Sequence, residues 1–191
     1  MRVIAGSARR ISLISLKGME TRPTLDRYKE TLFNTIQTEV PGSIFVDVFA
    51  GCGGIGIEAL SRGAERCFFL EHNKKAAEVI RQNLEKTHLS ERGEVMAMDA
   101  LTGLQKLERS LQGPADILFL DPPYGKGLEQ MAMGFLSRSG LMGEDTLLIV
   151  EASNDTDFSF AGELGFALTK TKDYRSNRHL FFVKKSGAGS D

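Results

Sequence analysis

The chain lacks the usual covalent and metallic supports of a fold. Its 191 residues include two cysteines, Cys52 and Cys67, too few for a disulfide framework. His72, His88 and His179 have no metal-ligand spacing with either cysteine, so no metal is expected. No stretch approaches the ~20 apolar residues of a membrane span. The opening "MRVIAGSARR" lacks the apolar core of a signal peptide, which makes a cytoplasmic location the expectation. There is no G-x-S-x-G elbow, no Walker-type loop, no internal repeat and no low-complexity segment. The expectation that remains is one globular domain, monomeric by default.

What is present fits that class. The chain is 41% hydrophobic and 26% charged. Its net charge of −1 hides an uneven distribution. Residues 1–30 carry Arg2, Arg9, Arg10, Lys17, Arg22, Arg27 and Lys29 against only Glu20, Asp26 and Glu30. A basic end on a near-neutral protein points to a local anionic partner.

Hydrophobic periodicity orders the elements. "RVIAG" and "ISLISLK" read as two short strands around "SARR", an N-terminal hairpin. Leu25, Tyr28, Leu32, Phe33 and Ile36 share one helical face, which leaves Asp26, Lys29, Glu30 and Gln37 elsewhere. Pro23 precedes this helix, Thr24 can cap it, and Pro41 and Gly42 follow it. Strands are then predicted over 43–50, 66–72, 93–100, 115–121 and 146–153, alternating with helices. Segments 166–174 and 179–185 read as a closing antiparallel pair, and 186–191 as a disordered tail. Apolar strands alternating with amphipathic helices imply an α/β fold with a mostly parallel sheet covered on both faces. Ligands of such sheets bind beyond the carboxyl ends of the strands.

Gly51, Gly53 and Gly56 form G-x-G-x-x-G between a strand and a helix, and Glu71 follows Gly51 by twenty residues. Glycines permit a tight turn and close backbone approach, and the acidic residue can accept from ribose hydroxyls. The pattern serves a dinucleotide or S-adenosylmethionine equally. Two residues favour the latter. Asp47 lies beside the loop, where a pyrophosphate would be repelled but a sulfonium and an ammonium would be welcome. Asp99, at the third strand's end, could reach an adenine amine or cap the following helix.

The fourth strand ends in "LDPPYGKG". Pro122 forces Asp121 toward extended conformations, and neither Pro122 nor Pro123 has an N–H. The corner therefore offers acceptors only, which suits an amine with two N–H bonds. Tyr124 adds a flat face for stacking a base, worth roughly 1–3 kcal/mol. Holding both N–H bonds frees the amine lone pair to attack a methyl carbon, a gain of positioning and electrostatics.

Together, "MRVIAG", "TRPTLDRYKETLFN" (21–34), "DVFAGCGGIGIEALSRGA" (47–64) and "LDPPYGKG" resemble the RsmD-type family of small-subunit ribosomal RNA guanine-N2 methyltransferases. The similarity runs over nearly the whole chain. It implies a class I S-adenosylmethionine-dependent, Rossmann-like sheet with an N-terminal hairpin (1–20, facing RNA) and a methyltransferase domain (21–185). It implies an enzyme that methylates the exocyclic N2 of a guanine in 16S ribosomal RNA; the small size of the chain favours a small-subunit assembly particle over free RNA as the partner, though the sequence leaves both open. Carried over by position, Asp47, Phe49, Ala50, Gly51, Gly53, Gly56, Glu71, His72 and Asn73 hold the cofactor. Asp99 and Ala100 border its adenine, and Asp121, Pro122, Pro123 and Tyr124 form the amine pocket. Arg9, Arg10, Arg22, Thr24, Arg27 and Lys126 are the expected substrate contacts. The same pocket would serve an adenine-N6 methyltransferase of DNA or RNA; 191 residues leave little room for a DNA-reading domain. A nicotinamide-dependent oxidoreductase or a non-catalytic nucleotide-binding module is the reading from another class.

Overall fold

The computed structural model describes residues 1–16 and 23–185, without the side chains of 23–25. The expectations placed on Arg22, on the side chain of Thr24 and on the tail 186–191 lie outside the described residues.

Helix α1 (Pro23–Thr35) leads into an alternating series: β1 (Ile44–Asp47), α2 (Gly54–Ser61), β2 (Arg66–Leu70), α3 (Lys74–Lys86), β3 (Gly93–Met96), α4 (Ala100–Ser110), β4 (Ala115–Leu120) and α5 (Leu128–Leu136). Then come β5 (Met142–Ser153), a one-turn helix α6 (Phe160–Glu163) that periodicity did not reveal, β6 (Phe166–Asp173) and β7 (Asn177–Lys184). The sheet order is β3-β2-β1-β4-β5-β7-β6. Strands β1 to β5 pair in parallel, and β7 runs antiparallel to β5 and β6. This is the mostly parallel sheet with a closing antiparallel pair that the sequence implies. The first three strands stop earlier than their apolar runs suggest, because their last residues turn out of the sheet to build the strand-end loops.

Alternation along each strand divides the core in two. In β4, Leu118 and Leu120 face a layer that includes Leu104 and Leu107 of α4 and Met133 and Leu136 of α5. Ile117 and Phe119 face the other layer, with Leu32 and Phe33 of α1, Ile57 and Leu60 of α2, and Ile80 of α3. A strand buried on both faces must read as a continuous apolar run, as "ILFL" does. Each such side chain is worth about 1.5–3 kcal/mol in area removed from water. No helix among the described residues is long and apolar enough to cross a membrane.

The N-terminal segment corrects one expectation. Instead of two strands, residues 1–16 contain one antiparallel bridge, Arg2 to Ser12, flanked by the hydrogen bonds Val3 N to Ile11 O and Leu13 N to Met1 O, both 2.9 Å. The physical reason is where the other donors go. The N–H groups of Ile4 and Ala5 donate to the carboxylate of Glu58 at 2.8 and 3.0 Å. Those of Ser7 and Ala8 donate to the carbonyl and hydroxyl oxygens of Ser61. Ile14 exchanges two bonds with the side chain of Asn83. Three buried polar side chains on α2 and α3 thus replace a ladder partner, and Val3, Ala8 and Leu13 join the core.

Lys29 is a second correction. Periodicity placed it away from the apolar face, yet it is 4% exposed. Its ammonium lies 3.1 Å from Glu58 and donates to the Arg2 carbonyl at 2.6 Å. Arg62 completes the cluster at 2.8 Å from Glu58.

Candidate active site

The chain leaves β1 through a loop closed by Gly53 N to Ala50 O at 2.7 Å, with Gly51 and Gly53 both at positive φ (54° and 80°). Gly56 has a packing role. A Cβ there would lie 2.3 Å from the Phe69 ring and 2.6 Å from Cys67 Sγ, so only glycine lets α2 sit this close to β2. Neither Gly53 nor Gly56 lines the cavity that this loop borders; Gly51, Cys52 and Gly54 do.

Acidic side chains tie the loop down. Glu71 accepts from Gly51 N at 2.9 Å and from Asn73 N at 2.7 Å, which binds the end of β2 to the loop after β1. His72 Nδ1 lies 3.1 Å from the same carboxylate. Asn73 caps α3 by accepting from Lys75 N and Ala76 N. Asp47, the last residue of β1, accepts from Gly56 N at 3.1 Å. Burial first, then the Glu71 carboxylate, push its carboxyl up to about 7, against the opposing pull of the Gly56 N–H. Cys52 is buried and its thiol is raised by that burial, so it is an unreactive small residue.

Beyond β4, Asp121 sits on the cavity wall with Pro122, Pro123 and Tyr124. Its side chain is open to the cavity, yet the domain around the cavity still desolvates it. That desolvation, then the Glu151 and Asp47 carboxylates, hold its carboxyl well above the usual range. Pro122 is buried while Tyr124 is 51% exposed, a ring free to stack.

The cavity encloses about 580 Å³, a nucleoside-sized volume. Of the expected site residues it gathers Asp47, Phe49, Ala50, Gly51, Glu71, His72, Asn73 and Asp121 to Tyr124. Asp99 and Ala100 are not on its wall. Asp99 is exposed and accepts from Thr102 N at 2.9 Å, the helix-cap alternative, and that N–H lowers its carboxyl. Arg9, Arg10 and Lys126 are exposed outside the cavity. Arg27 lines a separate cleft of about 250 Å³ with Tyr28, Thr31, Tyr174 and Arg175; Tyr28 belongs to both.

The sequence reading missed the far wall, where Tyr28, Lys29, Glu151 and His179 complete the cavity. Glu151 carried a usable signal, since it is the acidic residue near the end of the fifth strand. His179 carried none, because only the β5–β7 register sets it beside Glu151. Among the described residues four carboxylates (Asp47, Glu71, Asp121 and Glu151) thus share one cavity, and the one lysine described there, Lys29, is committed to Glu58. Such a wall repels pyrophosphate and favours a cation.

A glycine loop, acidic strand ends and a cavity where the order steps from β1 to β4 define a Rossmann-like fold of the S-adenosylmethionine-dependent methyltransferase class. The family model described as "Conserved hypothetical protein 95" matches residues 1–183, and the chain belongs to this family, in agreement with the RsmD-type resemblance. "Ribosomal RNA small subunit methyltransferase D" of Haemophilus influenzae is 37% identical over 156 residues, 81% of this chain and 80% of its own length. Among solved structures, the Escherichia coli protein yhhF superposes with a TM-score of 0.83 at 27% identity, covering 97% of this chain and 98% of that one. An O-methyltransferase from Bacillus cereus in complex with SAH shares the fold at a TM-score of 0.63 and 19% identity, over 89% and 84% of the two chains.

Proposed function

We propose that this chain transfers a methyl group from S-adenosylmethionine to the exocyclic N2 amine of a guanine in small-subunit ribosomal RNA. The observation that carries the reading is the Asp121–Tyr124 corner, which opens into the same cavity as the Gly51 loop. When bound, S-adenosylmethionine supplies a methyl group on a cationic sulfur. The residues present fit it: Asp47 and Glu71 are acidic groups beside the loop, and among the described residues the lining holds four carboxylates.

The chain's own part is positioning. Asp121 and the Pro122 carbonyl accept the two N–H bonds of the target amine, and Tyr124 stacks on the base. So held, the amine lone pair turns out of the ring plane and becomes nucleophilic. The amine then forms its new N–C bond as the carbon–sulfur bond breaks, and it must shed one proton. Asp121, held above the usual carboxylate range, is a stronger base than a free carboxylate and takes that proton. The basic N-terminal segment, with Arg9 and Arg10 exposed, lies against the RNA beside the domain formed by residues 21–185. The enzyme acts as a monomer in the cytoplasm, on a small-subunit assembly particle.

The test is nucleoside mass spectrometry of small-subunit ribosomal RNA after incubation with protein and S-adenosylmethionine, as free RNA and as particles. N2-methylguanosine is the expected product. N6-methyladenosine, or no methylated nucleoside with either substrate, would overturn the reading.

A further inference from the structure

The RsmD-type resemblance leaves Glu151, Asn177, His179 and Tyr174 without a role, yet they form one hydrogen-bonded cluster, of which Glu151 and His179 line the cavity. Leu120 of β4 pairs with Val150 of β5, so Asp121 and Glu151 follow side by side on strands about 4.8 Å apart. Glu151 in turn pairs with His179 across β7. The three side chains make one row at the strand ends, and Glu151 and His179 both reach the cavity.

Glu151 is oriented from behind. Its Oε1 accepts from Asn177 Nδ2 at 2.5 Å and more distantly from the Tyr124 hydroxyl at 3.4 Å. Its Oε2 lies 2.9 Å from His179 Nε2, and His179 Nδ1 lies 3.2 Å from the Tyr174 hydroxyl. His179 is 1% exposed and Asn177 5%, so these are fixed supports. With Nε2 donating to Glu151, Nδ1 accepts from Tyr174, a consistent tautomer for the neutral ring. A carboxylate has about four acceptor positions, and these bonds leave one for a ligand in the cavity.

We infer that Glu151, held by Asn177 and His179, selects guanine by accepting its N1–H while Asp121 accepts the neighbouring N2 amine. Two adjacent carboxylates offer acceptors only. The Watson–Crick edge of guanine presents N1–H and the 2-amine, two adjacent donors. Adenine presents one amine and an N1 lone pair, which would point at the Glu151 oxygen with no proton between them. This assignment rests on the guanine-amine reading above and adds its source of selectivity. Asp121 handles the reacting amine, Glu151 reads the base, and Asn177 and His179 are positioning residues.

2-Aminopurine separates these roles, because it keeps the 2-amine but has no proton on N1. The methylated guanine in small-subunit ribosomal RNA is first located by mass spectrometry, then replaced with 2-aminopurine by splinted ligation. The wild type should prefer guanine by about tenfold or more in kcat/KM. Glu151→Gln can donate to a bare N1, so its preference should shrink to near unity or invert. Equal use of both bases by the wild type would overturn the inference, and that comparison needs no variant. So would a Glu151→Gln enzyme slowed equally on both bases, which is how a purely structural role behaves. Transfer by the wild type to adenine and not to guanine would remove the underlying reading as well, a result distinct from lost selectivity on guanine.

Discussion

Glu58 on α2 and Asp121 just beyond β4 are both acidic, and the fold treats their charges in opposite ways. Glu58 is fully buried, and each of its oxygens is satisfied: Ile4 N and Lys29 on one, Ala5 N and Arg62 on the other. Its charge is neutralised, and the result is structural, since it fastens the N-terminal segment to α1 and α2. Asp121 instead faces the carboxylates of Glu151 and Asp47, and they push its proton affinity up. A carboxylate crowded by others works against folding, so it points to a ligand that relieves the crowding. The first arrangement holds the molecule together. The second is the kind of crowding that a bound cation or amine would relieve.

The sharpest way to break the contrast is at Glu58. Glu58→Ala strands the Lys29 ammonium in the core and should destabilise the protein by about 3–5 kcal/mol, read from urea unfolding. A shift below about 1 kcal/mol would mean the cluster is not a structural fastening. Glu71→Ala comes next. It removes acceptors for Gly51 N and Asn73 N as well as the carboxylate proposed to accept from the ribose, and should weaken S-adenosylmethionine about ten- to a hundredfold by calorimetry. Unchanged affinity would place the cofactor elsewhere.

A smaller effect sharpens the electrostatic side. Asp47 has its folded-state carboxyl raised from 3.8 to about 7. Its contribution to stability is therefore complete below about pH 4 and is lost as pH rises through about 7. The ligand-free protein should unfold at lower urea at pH 8 than at pH 6. Over the same range the affinity for S-adenosylmethionine should rise relative to the product, S-adenosylhomocysteine, whose sulfur is neutral. Asp47→Asn should reduce both trends and leave the part that the raised Asp121 carboxyl contributes, and a variant that keeps them in full would assign the titration to another group. The smallest effect belongs to the surface. Reversing Arg9 and Arg10 should weaken RNA binding and reduce its salt slope by about one per lost phosphate contact.

Much of this was readable in the sequence where the cause is local. The apolar runs of β4 and β5 announce strands buried on both faces, and Asp121–Tyr124 announces a site because two prolines constrain the backbone where they stand. Asp99 caps its helix for an equally local reason. Long-range register was not readable. Glu151 and His179 are 28 residues apart and meet only through antiparallel pairing with β7. Lys29 was misplaced because a charged residue reads as exposed until its partner is known, and Glu58 is 29 positions away along the chain. The N-terminal strands failed for the same reason: the acceptors for their N–H groups are side chains more than fifty residues off.

The claim that crowded strand-end carboxylates serve chemistry at the expense of stability meets its most direct test in Asp121→Asn. The measurement is urea unfolding of the ligand-free variant at pH 8, with methyl transfer to small-subunit ribosomal RNA followed on the same preparation. Asparagine removes a charge that the fold penalises, so the unfolding midpoint should rise while transfer falls by about a hundredfold or more. A midpoint that falls, or a variant that transfers methyl groups at the wild-type rate, would contradict the account.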